Sequence, residues 1–96
     1  MRAHTKTALI KIKGTTYATL GMDKFKCLTW IRNHPAVTAE EISAGTSVPL
    51  RSARVYAYEL ECEKIITAAQ HVEHGHLCQR YSCLESFEHL NEFHQL

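Results

Sequence analysis

Val37-Thr38-Ala39-Glu40-Glu41-Ile42-Ser43-Ala44-Gly45-Thr46-Ser47-Val48-Pro49 carries the signals that decide the fold. Thr38 and Glu41 have the spacing of a capping box, in which each side chain accepts from the other residue's backbone N–H. Val37 and Ile42 stand where a hydrophobic staple closes the same helix start. Gly45 follows three residues after Ile42 and Pro49 opens a new segment, so the helix, about residues 39–44, is short. A second helix follows, from about Pro49 to Glu63. A short capped helix, a turn containing glycine and a longer helix form the sequence pattern of a helix-turn-helix.

The second helix has two faces. Leu50, Ala53, Ala57 and Leu60 recur at helical spacing and predict one buried stripe, in which the alanines permit close approach of a neighbour. The other face presents Arg51, Arg54, Val55 and Tyr58, with Ser52 beside them. Arginine can bind guanine or phosphate bidentately, and serine or tyrosine can donate to either, so this face is a candidate reader of double-stranded DNA. The competing reading is a solvated face with its arginines paired to Glu59 or Glu61. Within the helix that pairing is poor: Arg54 is five residues from Glu59, and Arg51 has no acid three or four residues on.

Upstream, Asp23 is suited to cap a first helix, with Cys27, Leu28 and Ile31 on its apolar stripe and Phe25 and Trp30 flanking it. Asn33-His34-Pro35 ends that helix, because the residue before proline avoids the α region. Residues 1–21 contain the alternation Leu9-Ile10-Lys11-Ile12-Lys13, which reads either as a short strand or as a basic arm that orders on a partner. Thr15 to Gly21 reads as loop or as the approach to the first helix. Arg2, Lys6, Lys11 and Lys13 would let an arm track phosphates.

After Lys64 the period changes from helical to alternating. Ile65–Val72 and Leu77–Leu84 read as strands joined by Glu73-His74-Gly75-His76, where Gly75 supplies a positive φ. A hairpin directly after the second helix of a helix-turn-helix is a wing. Residues 85–96 read as a short amphipathic helix with Phe87, Leu90 and Phe93 at spacing three, a candidate cap for the domain or contact for a second copy. The expected fold is therefore α+β, mainly α with a small β-hairpin: a basic arm or short strand over 1–21, a winged helix-turn-helix with a three-helix core over 22–84 and a C-terminal amphipathic helix over 85–96.

The segment Thr38-Ala39-Glu40-Glu41-Ile42-Ser43, the helix containing Ser52-Ala53-Arg54-Val55-Tyr56 and Glu59-Leu60-Glu61, and the hairpin end Cys78-Gln79-Arg80-Tyr81 resemble small enterobacterial winged-helix transcription regulators. The two types they are most similar to are the CaiF/GrlA-type activators and the FaeA/PapI-type fimbrial regulators. The resemblance covers about residues 23–84. It implies operon-specific DNA binding, with the second helix in the major groove and the wing beside it. Two positions depart from that pattern: Glu63-Lys64 replaces the usual glycine before the first wing strand, and histidines hold the wing tip where basic residues are common.

Composition narrows the remaining classes. The chain has 96 residues, 45% apolar and 22% charged, as in an ordinary soluble domain with one core. No apolar run approaches the roughly 20 residues that span a bilayer. Residues 1–6 lack the apolar run of a signal peptide, so the cytoplasm is the expected compartment. The net charge of +1 conceals an asymmetry: residues 1–34 carry seven basic residues against Asp23, whereas residues 65–96 carry Arg80 against four glutamates. A basic side suits a polyanion.

The four cysteines are expected to be reduced, with Cys27 and Cys62 as small core residues. His71, His74, His76, Cys78 and Cys83 are metal-ligand types, but Cys78 and Cys83 point to opposite faces of a regular strand and no CxxC pair anchors them. No metal or cofactor is expected. Nor is an enzyme, because the chain lacks a phosphate loop and an acidic pair in a motif.

The expected function is sequence-specific regulation of a bacterial operon or mobile element, with no membrane partner. Thr38 and the start of the short helix would meet backbone phosphate. Arg80, His74 and His76 would lie near flanking DNA. A homodimer or partner regulator would add specificity. The rival is a winged-helix protein-interaction module that modulates another regulator or complex.

Overall fold

The capping box forms. In a computed structural model describing residues 5–12, 16–84 and 87–95, with side chains at 7–11 and 19–84, Thr38 N–H donates to Glu41 Oε1 (2.9 Å). In return, Glu41 N–H donates to Thr38 Oγ1 (3.2 Å). Val37 and Ile42 are both buried, completing the staple. The helix they open, α2, runs Ala39–Thr46 and so passes through Gly45. Its left-handed terminator is Ser47, at φ 64°. Gly45 serves packing instead. A Cβ there would lie 2.2 Å from the Trp30 ring, so glycine lets the indole of the preceding helix rest on the α2 backbone.

That preceding helix, α1, spans Met22–Asn33 and buries Cys27, Leu28 and Ile31. Its N-cap is Gly21, with no side-chain hydrogen bond, and Asp23 lies in the first turn rather than at the cap. There its carboxylate still complements the helix dipole. The third helix, α3, spans Leu50–Cys62 with Pro49 before it. Ala53, Ala57 and Leu60 are fully buried, and Leu50 is partly buried against the same core.

The departure at Glu63-Lys64 acquires a structural meaning at the end of α3. Lys64 N–H donates to Glu61 O and Ile65 N–H to Leu60 O, each at 3.0 Å. Those bonds make a Schellman motif, and Leu60 and Ile65 are both buried beside it. Lys64 therefore occupies the left-handed position itself, at φ 63°.

Strands β3 (Ile66–Glu73) and β4 (His76–Cys83) pair antiparallel in unbroken register from Ile66↔Cys83 to Glu73↔His76. His74 (φ 51°) and Gly75 (φ 77°) are the two central turn residues, as a type I′ hairpin requires. On its other side β4 meets Val37: Val37 N–H donates to Tyr81 O (3.1 Å) and Tyr81 N–H to Val37 O (2.7 Å). Tyr81 is 8% exposed and packs the hairpin onto the helices.

The two ends of the chain form a second sheet. Strands β1 (Thr5–Ile12), β2 (Thr16–Gly21) and β5 (Phe87–Gln95) lie in the antiparallel order β2-β1-β5. Within residues 1–21, the described stretches Thr5–Ile12 and Thr16–Gly21 are strands, which corrects the expected loop before α1; the remainder, Lys13 included, lies outside the described residues. It also corrects the C-terminal helix: Phe87, Leu90 and Phe93 lie on a strand. Phe87 pairs with Ile12 and Phe93 with Thr7, while a register shift between Leu9 and Ile10 leaves Leu90 without a partner residue. The physical reason is competition for β1, whose outer backbone groups need partners; a helix of three apolar positions would leave them unpaired. The expected α+β class holds, but with more strand than helix among the described residues the domain is not mainly α. Ile10 and Leu20 join the core shared by the helices and Tyr81, so β1 and β2 contribute to that core.

Candidate nucleic-acid interface

The outward face of α3 follows from its buried stripe. With Ala53, Ala57 and Leu60 turned inward, Arg51, Arg54, Val55 and Tyr58 are exposed and Ser52 is half-buried. Val55 and Tyr58 are 48% and 66% exposed, large for apolar side chains on a small domain. Arg51 has no ion-pair partner among the described residues. Arg54 does: its Nη2 lies 3.2 Å from Glu40 Oε2 on α2. Both side chains are well over half exposed, so the pair is worth little, at most about 1 kcal/mol.

Charge is distributed unevenly along α3. Both arginines fall in its first half, and Glu59 and Glu61 in its last turn. Lys24 on α1 bridges Glu59 and, just beyond the helix, Glu63, each at 3.2 Å. Glu61 is left without an ion-pair partner among the described residues. Tyr58 sits one turn before Cys62, and the hydrogen bond between them raises the phenol above its ordinary pKa. Cys62 is exposed, which corrects its expected place in the core; position 62 continues the outer face, not the 53-57-60 stripe.

Thr38 is committed to the cap through its hydroxyl. Glu40 and Glu41 occupy the first turn of α2, so the positive end of that helix already faces carboxylates. Arg80 is engaged within the fold. Its Nη1 donates to Ala36 O (2.7 Å) and Nε to Glu73 Oε1 (3.1 Å), with further bonds from Nη2 to the Glu73 carboxylate. Glu41 lies 3.4 Å from Nη1. The guanidinium thus ties the hairpin to the α1–α2 connection. Its bonds hold the Glu73 carboxyl below the ordinary range, helped by the Cys78 thiol.

His74 and His76 are exposed at the hairpin tip. Lys11 is half-buried in the central strand β1, opposite Tyr17 and Glu88. Lys13 and the side chains of Phe87, Leu90 and Phe93 lie outside the described residues. His71 and Cys78 are cross-strand partners, and Cys78 Sγ donates to Glu73 (3.4 Å). No three histidine, cysteine or acidic side chains converge into a metal site among the described residues. Burial pushes the Cys27 thiol up to about 11, so it behaves as a small core residue.

Sequence reasoning missed one surface. Val72 and Leu77, opposed across the hairpin, are 72% and 65% exposed. Between this tip and α3 lies a cleft of about 510 Å³, whose lining includes Glu40, Arg54, Tyr58, Glu61, Leu77 and Tyr81. The available signal was the pair of apolar residues placed symmetrically about the turn, which an alternating pattern read only as strand. No helix among the described residues is long and apolar enough to cross a membrane. Comparison with protein-family models, curated proteins and solved structures gives no match.

Proposed function

We propose that this chain is a winged helix-turn-helix protein that binds double-stranded DNA and regulates transcription of a bacterial operon or mobile element, in the cytoplasm. The observation that carries the reading is the pair Arg51 and Arg54 on the outward face of the first half of α3, opposite its buried stripe. Recognition helices of this motif present their N-terminal residues to base edges, and the basic half of α3 is the N-terminal one. The order α2, a three-residue connection, α3, then the β3–β4 hairpin is compatible with this docking, as is the resemblance over residues 23–84.

In this reading α3 enters the major groove, Arg51 reads guanine or holds phosphate, and Ser52, Val55 and Tyr58 complete the contact. Arg54 exchanges Glu40 for the duplex, at a small cost because the pair it leaves is exposed. The hairpin contributes its tip histidines and no arginine. A single module offers few base contacts, so a homodimer or a partner regulator supplies the remaining specificity.

The test is retention of mixed genomic duplex fragments at two salt concentrations, followed by sequencing. One recurring site, bound less tightly as salt rises, supports the reading. Arg51→Ala should weaken that site by about 1–3 kcal/mol with the fold intact. Retention without an enriched sequence, or full affinity in Arg51→Ala, would overturn it.

A further inference from the structure

Strand β4 has an incomplete outer edge. Tyr81 turns its N–H and C=O toward Val37, so in a regular strand Gln79 and Leu77 turn theirs the same way. The partner chain leaves β4 at Val37 to enter α2, and among the described residues no backbone group bonds Gln79 or Leu77 on that side. These groups open onto the 510 Å³ cleft, which falls within the range of ligand-sized sites, about 300–1,000 Å³. Leu77, Gln79 and Tyr81 share the strand face that looks toward α3. Val72 and Leu77 extend that face beyond the helices as an exposed apolar tip.

We propose that this cleft binds an extended peptide segment of a partner protein, added as a strand beside Leu77–Gln79. The segment carries an apolar side chain and a neighbouring Lys or Arg. Backbone pairing with the free edge supplies affinity, and the side-chain positions supply selectivity. The apolar residue covers Leu77 and Tyr58. The basic residue meets Glu61, which faces the cleft without an ion-pair partner among the described residues, while Glu40 already neutralises Arg54. Two carboxylates against one guanidinium make the cleft a site for cationic, not anionic, partners, although it shares Arg54 and Tyr58 with the DNA face of α3.

The experiment selects a display library of random short peptides on the full chain and maps the winners by amide shifts of the isotope-labelled protein. The expected result is a consensus pairing an apolar residue with Lys or Arg, with the largest shifts at Leu77 and Gln79. Two variants test the geometry. Gln79→Pro removes an outward N–H that the β3–β4 ladder does not use, and proline is tolerated at such an edge. Glu61→Lys reverses the charge at an exposed residue. Each should weaken the selected peptides about tenfold or more. Absence of a consensus, shifts centred elsewhere, or affinity unchanged in both variants would overturn the proposal. So would concentration-dependent shifts of the same amides in the protein alone, which would assign the cleft to a second copy.

Discussion

Replacing Gly45 by alanine separates local propensity from tertiary packing, because the two predict opposite signs. Position 45 lies inside α2, where alanine is favoured over glycine by about 0.8–1.0 kcal/mol. The added Cβ, however, would fall 2.2–2.6 Å from three atoms of the Trp30 indole. Carbon atoms rest about 3.5–4.0 Å apart, so the ring must withdraw by more than about 1 Å. It has little freedom to do so. Trp30 stacks on His34 with ring centroids 3.8 Å apart, and His34 Nδ1 lies 3.1 Å from Trp30 O. Overpacking of this kind costs about 1–3 kcal/mol, and disturbing the ring pair adds up to about 1 kcal/mol. After the propensity gain is subtracted, the net loss is about 0–3 kcal/mol, each 1 kcal/mol lowering the melting temperature by roughly 4–8 °C for a domain of this size. Trp30 is the only tryptophan, so its emission reports both the unfolding transition and the displacement of the ring. In a Trp30→Ala background the obstacle is gone and Gly45→Ala should stabilise by up to about 1 kcal/mol. A raised midpoint in the single variant would refute the packing argument.

The left-handed residue at the end of α3 gives a second outcome: Lys64→Gly should stabilise by about 0.5–1 kcal/mol. Relief of the left-handed cost, about 1–2 kcal/mol, exceeds the added entropy of an unfolded glycine. A urea titration checks this, with the slope unchanged. Glu73 gives a third outcome. Its pKa is lowered in the folded state, so its contribution is full above the ordinary carboxylate range and is lost as pH falls through the lowered value. Glu73→Gln should therefore be less stable than the parent near neutral pH and converge with it in acid. Parallel stability curves for the two proteins would contradict the Arg80 tie.

The elements written in neighbouring residues were legible. Thr38 and Glu41 cap α2 because a capping box closes over three residues. The 53-57-60 stripe of α3 needs only its own period, and the β3–β4 register follows from its turn. What escaped depends on residues far apart in the chain. The spacing of Phe87, Leu90 and Phe93 favours a helix locally, but the backbone of β1, some eighty residues earlier, recruits the segment as a strand. Gly45 carries two meanings, and only the position of Trp30 on another helix chooses between terminator and packing site. The charge balance was misjudged for the same reason. Counting acids within α3 left Arg54 uncompensated, whereas its partner Glu40 comes from α2. Arg80 resembled a free wing cation until the folded hairpin set it beside Glu73, seven residues back along the chain.

The two proposed surfaces meet at Arg54 and Tyr58. Both residues belong to the outward face of α3, and both line the cleft beneath the hairpin. A duplex held by this face must draw Arg54 from Glu40, leaving that carboxylate and Glu61 beside phosphate. A cationic peptide in the cleft neutralises Glu61 but covers Tyr58, which lies on the route of the duplex. The first effect favours DNA and the second opposes it. Their magnitudes differ: screening one exposed carboxylate is worth at most about 1 kcal/mol, whereas two macromolecules cannot occupy one side chain's surface at all. Exclusion therefore wins, and by reciprocity each partner lowers the affinity of the other by the same factor. On these two proposals, α3 is a point of competition between a partner protein and DNA, set by the overlap at Arg54 and Tyr58.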